Sequence, residues 1–320
     1  MEYIPWIRSK VGNRKIFMVA GTVVVQDKNG RILLQRRSDF DFWGLPGGAL
    51  ERDEDIETCA RRELFEESGL HVGALHLIGV YSHPKYDVLY PNGDQVQQFN
   101  VCFAGKVEGG EMQVDGHETV DQHFFHPDEL PWDHIPIWYA DVLRDLLQTD
   151  TPQYLPPYSN GNTRDQIKTV RPFIGNELYI GVGAMAVVTN NEQQILMIRR
   201  QDTGGWIFPA GFTDLGENAP NTAVRETYEE TGYHIQLDRL MGVYSHPAYH
   251  HTYGNGDQVK NVGAVFQAHV IGGEQKPQLS EVSELAWMSK QQVYARLEDS
   301  RYGAFVARIV AQLEDGYFVI

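Results

Sequence analysis

A block of sequence that returns after 163 residues limits what this chain can fold into more than any other feature. The hexapeptide GVYSHP stands at 79–84 and again at 242–247. Sliding the chain on itself by 163 positions brings Gly12-Asn13 onto Gly175-Asn176, Arg36-Arg37 onto Arg199-Arg200, and Asn92-Gly93-Asp94 onto Asn255-Gly256-Asp257. Between 79–100 and 242–263, 13 of 22 positions are identical. Solenoid repeats run only about 20–50 residues, so a period this long marks a duplicated domain. The 320 residues leave room for two such domains, each able to bury its own core.

Between the copies lies TDTPQYLPPYSNGNT, with three prolines and an Asn-Gly-Asn tip, a composition that disfavours helix and central strand. The expected division is therefore a first domain over 1–148, a linker over 149–163 and a second domain over 164–320. Each copy opens on an amphipathic segment (IPWIRSKVG, IKTVRPFIG) that stops at Gly-Asn, a plausible helix end. Apolar runs separated by a turn (FMVAGTVVVQ then RILLQRR; YIGVGAMAVV then QILMIRR) read as paired strands. After a loop ending WGLPGG or WIFPAG come a charged helix, the GVYS strand, an Asn-Gly hairpin, a long strand and a closing helix. Strands and helices without regular βαβ alternation predict an α/β fold of mixed sheets flanked by helices, present twice.

A net charge of −16, from 43 acidic and 27 basic residues, opposes broad attraction to nucleic acid polymers or anionic lipid, so neither is an expected partner. Two cysteines, Cys59 and Cys102, are too few for a disulfide framework and lack the spacing of a zinc site. No apolar run reaches signal-peptide or membrane-span length, which makes the cytoplasm the expected compartment.

The chemistry is concentrated in the charged helix. The first copy reads GALERDEDIETCARRELFEESGL over 48–70 and the second GFTDLGENAPNTAVRETYEETGY over 211–233. On a helix Glu63, Glu66 and Glu67 fall at i, i+3 and i+4, where their carboxylates crowd one face and repel. A hard divalent cation relieves that repulsion, and Mg²⁺ binds a few carboxylate oxygens while keeping positions for phosphates. Arg62 can fix a carboxylate through its planar fork. Arg225, Glu226, Glu229 and Glu230 repeat the set.

Both segments fit G-x5-E-x7-R-E-U-x-E-E-x-G-U, with U a bulky aliphatic residue, which resembles the signature of the Nudix hydrolase superfamily (MutT and ADP-ribose pyrophosphatase types). Gly48, Glu54, Arg62, Glu63, Leu64, Glu66, Glu67, Gly69 and Leu70 meet every position; in the second copy only Thr227 and Tyr233 depart, at packing positions. The resemblance implies two α/β/α sandwiches and hydrolysis of a small nucleoside diphosphate linked to another moiety, using Mg²⁺ or Mn²⁺. It makes Glu66, Glu67, Glu229 and Glu230 the main metal ligands, with the carbonyls of Gly47 and Ala210 as further ligands. Glu63 and Glu226 become additional ligands or orient the water, beside Arg62 and Arg225. It implies an acidic residue outside the box as well, for which Glu118 and Glu281, each six residues before an aromatic, are favoured; the other reading makes both of them ordinary exposed loop glutamates.

Substrate contacts are expected from Arg36 or Arg37 and Arg199 or Arg200, since strand alternation lets at most one of each pair face the site. Trp43 and Trp206 could stack on a base or pack in the core. His83 and Tyr86, with His246 and Tyr249, follow the box and are either substrate contacts or turn residues. Pro84, 14 residues after Leu70, resembles the ADP-ribose type and Tyr86, 16 after it, the dinucleoside polyphosphate type. The two markers pull in opposite directions. Two alternatives to a doubly active hydrolase stand: a nucleotide-sensing regulatory protein, or a scaffold whose duplicated domains pack as a pseudo-dimer with one site silent.

Overall fold

The computed structural model describes residues 1–320 except 39, 115, 117, 118, 159, 160, 298–301 and 315. The first half runs α1 (Tyr3–Val11), β1 (Ile16–Gln26), β2 (Ile32–Arg37), α2 (Ile56–Ser68), β3 (His76–Tyr81), β4 (Gln95–Gly110), β5 (Thr119–Phe125), α3 (Ile137–Gln148) and β6 (Gln153–Tyr154). The second repeats it with α4 (Gln166–Ile174), β7 (Tyr179–Thr189), β8 (Ile195–Arg200), α5 (Ala219–Thr231), β9 (Tyr233–Tyr244), β10 (Gln258–Gly273) and β11 (Val282–Met288). It closes with α6 (Lys290–Leu297), α7 (Gly303–Val310) and β12 (Phe318–Val319).

Each half builds its own mixed sheet. β1 runs parallel to β4 from Ile16 opposite Val96 to Gln26 opposite Lys106, and β7 parallel to β10 from Tyr179 opposite Val259 to Thr189 opposite His269. Those central strands are buried along nearly their whole length, which is why they read as continuous apolar runs rather than alternating ones. β3 and β9 flank β4 and β10 antiparallel, while β2 and β8 carry β5 and β11. Within the stretch read as a linker, Gln153–Tyr154 forms β6, parallel to β3 at Gly79 and Val80; β12 makes the same pairing with β9 at Gly242 and Val243.

α2 lies on β1 with almost no gap. A Cβ on Gly21 would stand 2.9 Å from the Ile56 carbonyl oxygen and 3.1 Å from the Ala60 Cβ, so this strand position has room only for glycine.

The two halves share one apolar core: Ile7, Val11 and Phe17 belong to the same buried cluster as Val170, Ile174 and Ile180. Polar contacts cross the same boundary in matched pairs. The Ile56 N–H, at the start of α2, donates to Ser245 Oγ at 2.9 Å; the Ala219 N–H, at the start of α5, donates to Ser82 Oγ at 3.0 Å. Both serines come from the repeated hexapeptide, and each satisfies an amide that its helix cannot, an interaction typically worth ~1 kcal/mol. Buried Gln97 accepts from the Gly216 N–H at 2.8 Å and donates to the Glu217 carbonyl. Its counterpart 163 residues on is Lys260, fully buried, whose ammonium donates to the carbonyls of Glu51, at 2.8 Å, and Glu54. Tyr3 Oη accepts from the Ile180 N–H at 3.1 Å, and Tyr317 Oη from the Leu77 N–H at 3.2 Å.

A shared core with buried cross-domain bonds makes the chain one cooperative unit. Calorimetry is expected to give a single transition with equal calorimetric and van 't Hoff enthalpies; two resolved transitions would contradict it.

Candidate active site

Local sequence sets both box helices. Asp55 caps α2 by accepting from the Thr58 N–H, and Gly69, at φ 70°, closes it in the left-handed conformation that glycine adopts most cheaply. Asn218 and Pro220 start α5, and Gly232 ends it. Ile56, Cys59, Ala60 and Leu64 are buried against the sheet, which leaves Arg62, Glu63 and Glu66 on the side open to the cleft.

Arg62 organises the carboxylates. Its Nε and Nη2 hold Glu54 at 3.0 and 2.7 Å, its Nη1 reaches Glu63 at 2.8 Å and Glu66 at 3.0 Å, and Nη2 also meets the Ala49 carbonyl at 3.1 Å. Arg225 repeats this with Glu217 at 2.8 and 2.9 Å, Glu226 at 2.6 Å, Glu229 at 3.1 Å and the Phe212 carbonyl at 3.0 Å. The hydrogen bond to Glu54, with the charge of Glu63, raises the Arg62 pKa above its ordinary value against the pull of desolvation. The first glycine of the box follows from the same geometry. A Cβ on Gly48 would stand 2.3 Å from the Glu63 carboxyl carbon, and one on Gly211 2.1 Å from that of Glu226, so any side chain there displaces the carboxylate.

Glu67 and Glu230 differ from their neighbours because they are buried, 4% and 1% exposed. One oxygen of each accepts a backbone N–H, Gly47 at 2.8 Å and Ala210 at 2.9 Å. The other oxygen, Oε1 in both, is buried without a well-formed hydrogen bond, although the Gln35 side chain lies close enough to Glu67 to draw its pKa down against burial. Burial pushes both carboxyls up to about 8, and Glu226 up to about 7. A buried carboxylate with one oxygen unmatched calls for a cation. Among the described residues no three Asp, Glu, His or Cys side chains form a ready cage for a metal ion; Arg62 and Arg225 hold the exposed carboxylates instead. The donor set nevertheless suits a hard divalent ion, because it is made of carboxylates near enough for the charge of Glu63 to act on Glu67 and that of Glu226 on Glu230.

The arginine pairs divide as strand alternation requires. Arg36 is exposed and paired with Asp41, and Arg199 is exposed near Glu284. Arg200 turns inward, its Nη1 3.9 Å from the unmatched oxygen of Glu230, and the charge of Arg37 acts on Glu67. Glu281 borders the second cleft, where its charge adds, behind burial, to the upward push on Glu226 and Glu230. Glu118 lies outside the described residues.

Other expected contacts sit elsewhere. Trp206 is 5% exposed and packs in an apolar cluster of the second half with Met185, Phe208 and Phe305, and Trp43 stands edge-on to Phe125 beside a cluster of the first half that includes Leu34 and Tyr139. Tyr86 is 1% exposed and donates its hydroxyl to Asp141 at 2.8 Å, so it is closed to a ligand, whereas Tyr249 lines the second cleft. His83 and His246 each accept a backbone N–H two residues on, in the turn role, and His83 also packs on Tyr158 with ring centres 4.2 Å apart.

Sequence reasoning missed the anchoring of Arg62 and Arg225 by Glu54 and Glu217, although the motif held both glutamates. It also missed a difference between the copies beside Tyr90 and its counterpart Tyr253. The second cleft has a volume of about 1120 Å³ and is lined by Arg200, Phe212, Glu226, Tyr249, Tyr253 and Phe305, among others. In the first copy Phe40 stacks on Phe42 and reaches Tyr90, the counterpart of Tyr253, with ring centres 5.7 Å apart. The second copy has Thr203 and Gly205 where Phe40 and Phe42 stand.

Comparison with known proteins gives a consistent family. The family model described as NUDIX domain matches residues 17–146 and 180–309. The ADP-ribose pyrophosphatase of Methanocaldococcus jannaschii is 36% identical over 125 residues, 38% of this chain and 69% of that protein. The oxidized purine nucleoside triphosphate hydrolase of Danio rerio is 31% identical over 125 residues, 38% of this chain and 74% of that protein. A crystal structure of a MutT NUDIX hydrolase from Burkholderia pseudomallei is 24% identical, covering 42% of this chain and 98% of that one, with a TM-score of 0.35.

The buried carboxyls give the metal-free protein a characteristic pH response. A carboxyl whose pKa rises from 4.5 to about 8 on folding takes up a proton as the chain folds, so its contribution is full at low pH and is lost as pH climbs through 8. With a chelator present, Glu67→Gln is expected to raise Tm by several degrees at pH 8 and to change it little at pH 5. Thermal denaturation at both pH values checks this; a lowered Tm at pH 8 would contradict it.

Proposed function

Because this chain belongs to the Nudix family, with two tandem NUDIX domains, and is a pyrophosphohydrolase, we propose that both domains are active, metal-dependent sites that split the diphosphate linkage of a small nucleoside diphosphate derivative. The observation that carries this reading is the pair of intact carboxylate arrays, each with one buried oxygen left unmatched. Neither copy has lost a box glutamate, which disfavours a purely sensing or scaffolding role for either.

In this reading Glu63, Glu66 and Glu67, with the Gly47 carbonyl, hold Mg²⁺ or Mn²⁺ in the first domain; Glu226, Glu229 and Glu230, with the Ala210 carbonyl, do so in the second. When bound, such an ion would supply the charge that neutralises the phosphates and activates water for attack. Arg62 and Arg225 keep the carboxylates aimed, so that little reorganisation is needed when substrate arrives. Arg200, and Arg37 in the first domain, supply positive charge to the diphosphate. Tyr249, Tyr253 and Phe305 offer aromatic faces to the nucleoside in the second cleft. Glu281 is the outer carboxylate there, with Glu118 its proposed equivalent. Phe40 and Phe42 against Thr203 and Gly205 give the two sites different leaving-group preferences. A cytoplasmic setting fits two buried, unbridged cysteines and, among the described residues, no helix long and apolar enough to cross a membrane.

Turnover of nucleoside diphosphate sugars, ADP-ribose, dinucleoside polyphosphates and oxidised dNTPs, with Mg²⁺ and with Mn²⁺, tests the reading. Glu67→Gln and Glu230→Gln are each expected to remove the activity of one domain by about 100-fold or more, and the double variant to be inactive. Unchanged turnover in the double variant would overturn the assignment.

A further inference from the structure

We infer that Lys260 and Ser245 of the second domain are positioning residues for the first domain's active site, and that Gln97 and Ser82 serve the second site reciprocally. Each carboxylate array is then complete only while the opposite domain is docked. The inference rests on the catalytic reading above and adds a source of control outside either box.

The chain of contacts is short. The Lys260 ammonium holds the carbonyls of Glu51 and Glu54, the two ends of the loop that leads into α2. The Glu54 carboxylate accepts from the Glu51 N–H at 2.9 Å and from two nitrogens of Arg62, and Arg62 in turn holds Glu63 and Glu66. A shift of the Glu54 backbone therefore moves Arg62, and with it two of the carboxylates. Ser245 fixes the first turn of the same helix by taking the Ile56 N–H. In the other direction Gln97 grips the Gly216 N–H and the Glu217 carbonyl, Glu217 holds Arg225, and Ser82 takes the Ala219 N–H.

Two features set this apart from ordinary interface packing. Lys260 is fully buried, and burial lowers its pKa to about 8, yet it spends its donors on two carbonyls of the opposite domain's catalytic loop. An ammonium has three donors and no acceptor, so it can hold two carbonyls of the opposite loop at once, whereas the Gln97 amide holds one carbonyl and one N–H of the loop opposite it. The same register thus grips each loop with the donor set that the loop presents.

The test uses the full chain with one site silenced. In the Glu230→Gln background, where only the first site turns over, Lys260→Met is expected to lower kcat about tenfold with KM little changed, and Lys260→Gln to restore part of the loss. In the Glu67→Gln background, Lys260→Met leaves second-site turnover within about twofold, a margin far below the 10–100-fold cost usual for losing a supporting contact. Amide exchange in Lys260→Met is expected to speed up over 51–58 and to stay unchanged over 214–221. First-site kcat unmoved by Lys260→Met, or equal losses at both sites, overturns the inference alone. Hydrolysis surviving in the Glu67→Gln/Glu230→Gln double variant overturns the catalytic reading first, and this one with it.

Discussion

A buried carboxylate with one oxygen bonded to the backbone and the other buried without a well-formed hydrogen bond is the constraint around which each domain is arranged. Glu67 and Glu230 keep that position because the short strand segments Gly47–Ala49 and Ala210–Phe212, paired to β1 and β7, bring the amide of Gly47 or Ala210 to the first oxygen. Everything else at the site manages the crowding that follows. The guanidinium of Arg62 or Arg225 spans the anchoring glutamate and the two outer carboxylates, and the box glycine leaves room for Glu63 or Glu226 to lie over the backbone. Isolated, such a helix face would repel itself; in the fold it becomes a site for a cation and its phosphate ligand.

Duplication turned this one solution into two coupled ones. The halves are joined by more than their connecting segment, since one apolar core runs through both and the serine of each hexapeptide satisfies the other half's box helix. GVYSHP therefore has a double use in each copy. Its first residues extend a strand of their own sheet, and its serine reaches across the interface.

Much of this was legible in the sequence. The 163-residue offset, the two boxes and the ends of α1 and α4 at Gly12 and Gly175 followed from spacing and local signals; α6, and the caps Asp55 and Asn218 of the box helices, did not. The alternation rule also left one arginine of each pair for the site, and Arg200 turns inward while Arg199 does not. What sequence could not supply depends on tertiary distance. Tyr86 and Tyr249 align in register, yet Tyr86 is locked into the core by Asp141 while its twin borders a cleft; of the two readings open for Trp206, stacking on a base or packing in the core, its place is in an apolar cluster. Gln97 and Lys260 carry no motif, and a lysine inside an apolar strand reads as an anomaly until the loop of the other domain is placed against it.

The most direct test of the central claim is a titration of Mn²⁺ into the metal-free protein, with free ion followed by its EPR signal. Two independent sets of sites are expected, one per domain, with Glu230→Gln removing one set and Glu67→Gln the other. A free-ion signal undiminished by protein, or binding that both variants leave intact, would contradict the account.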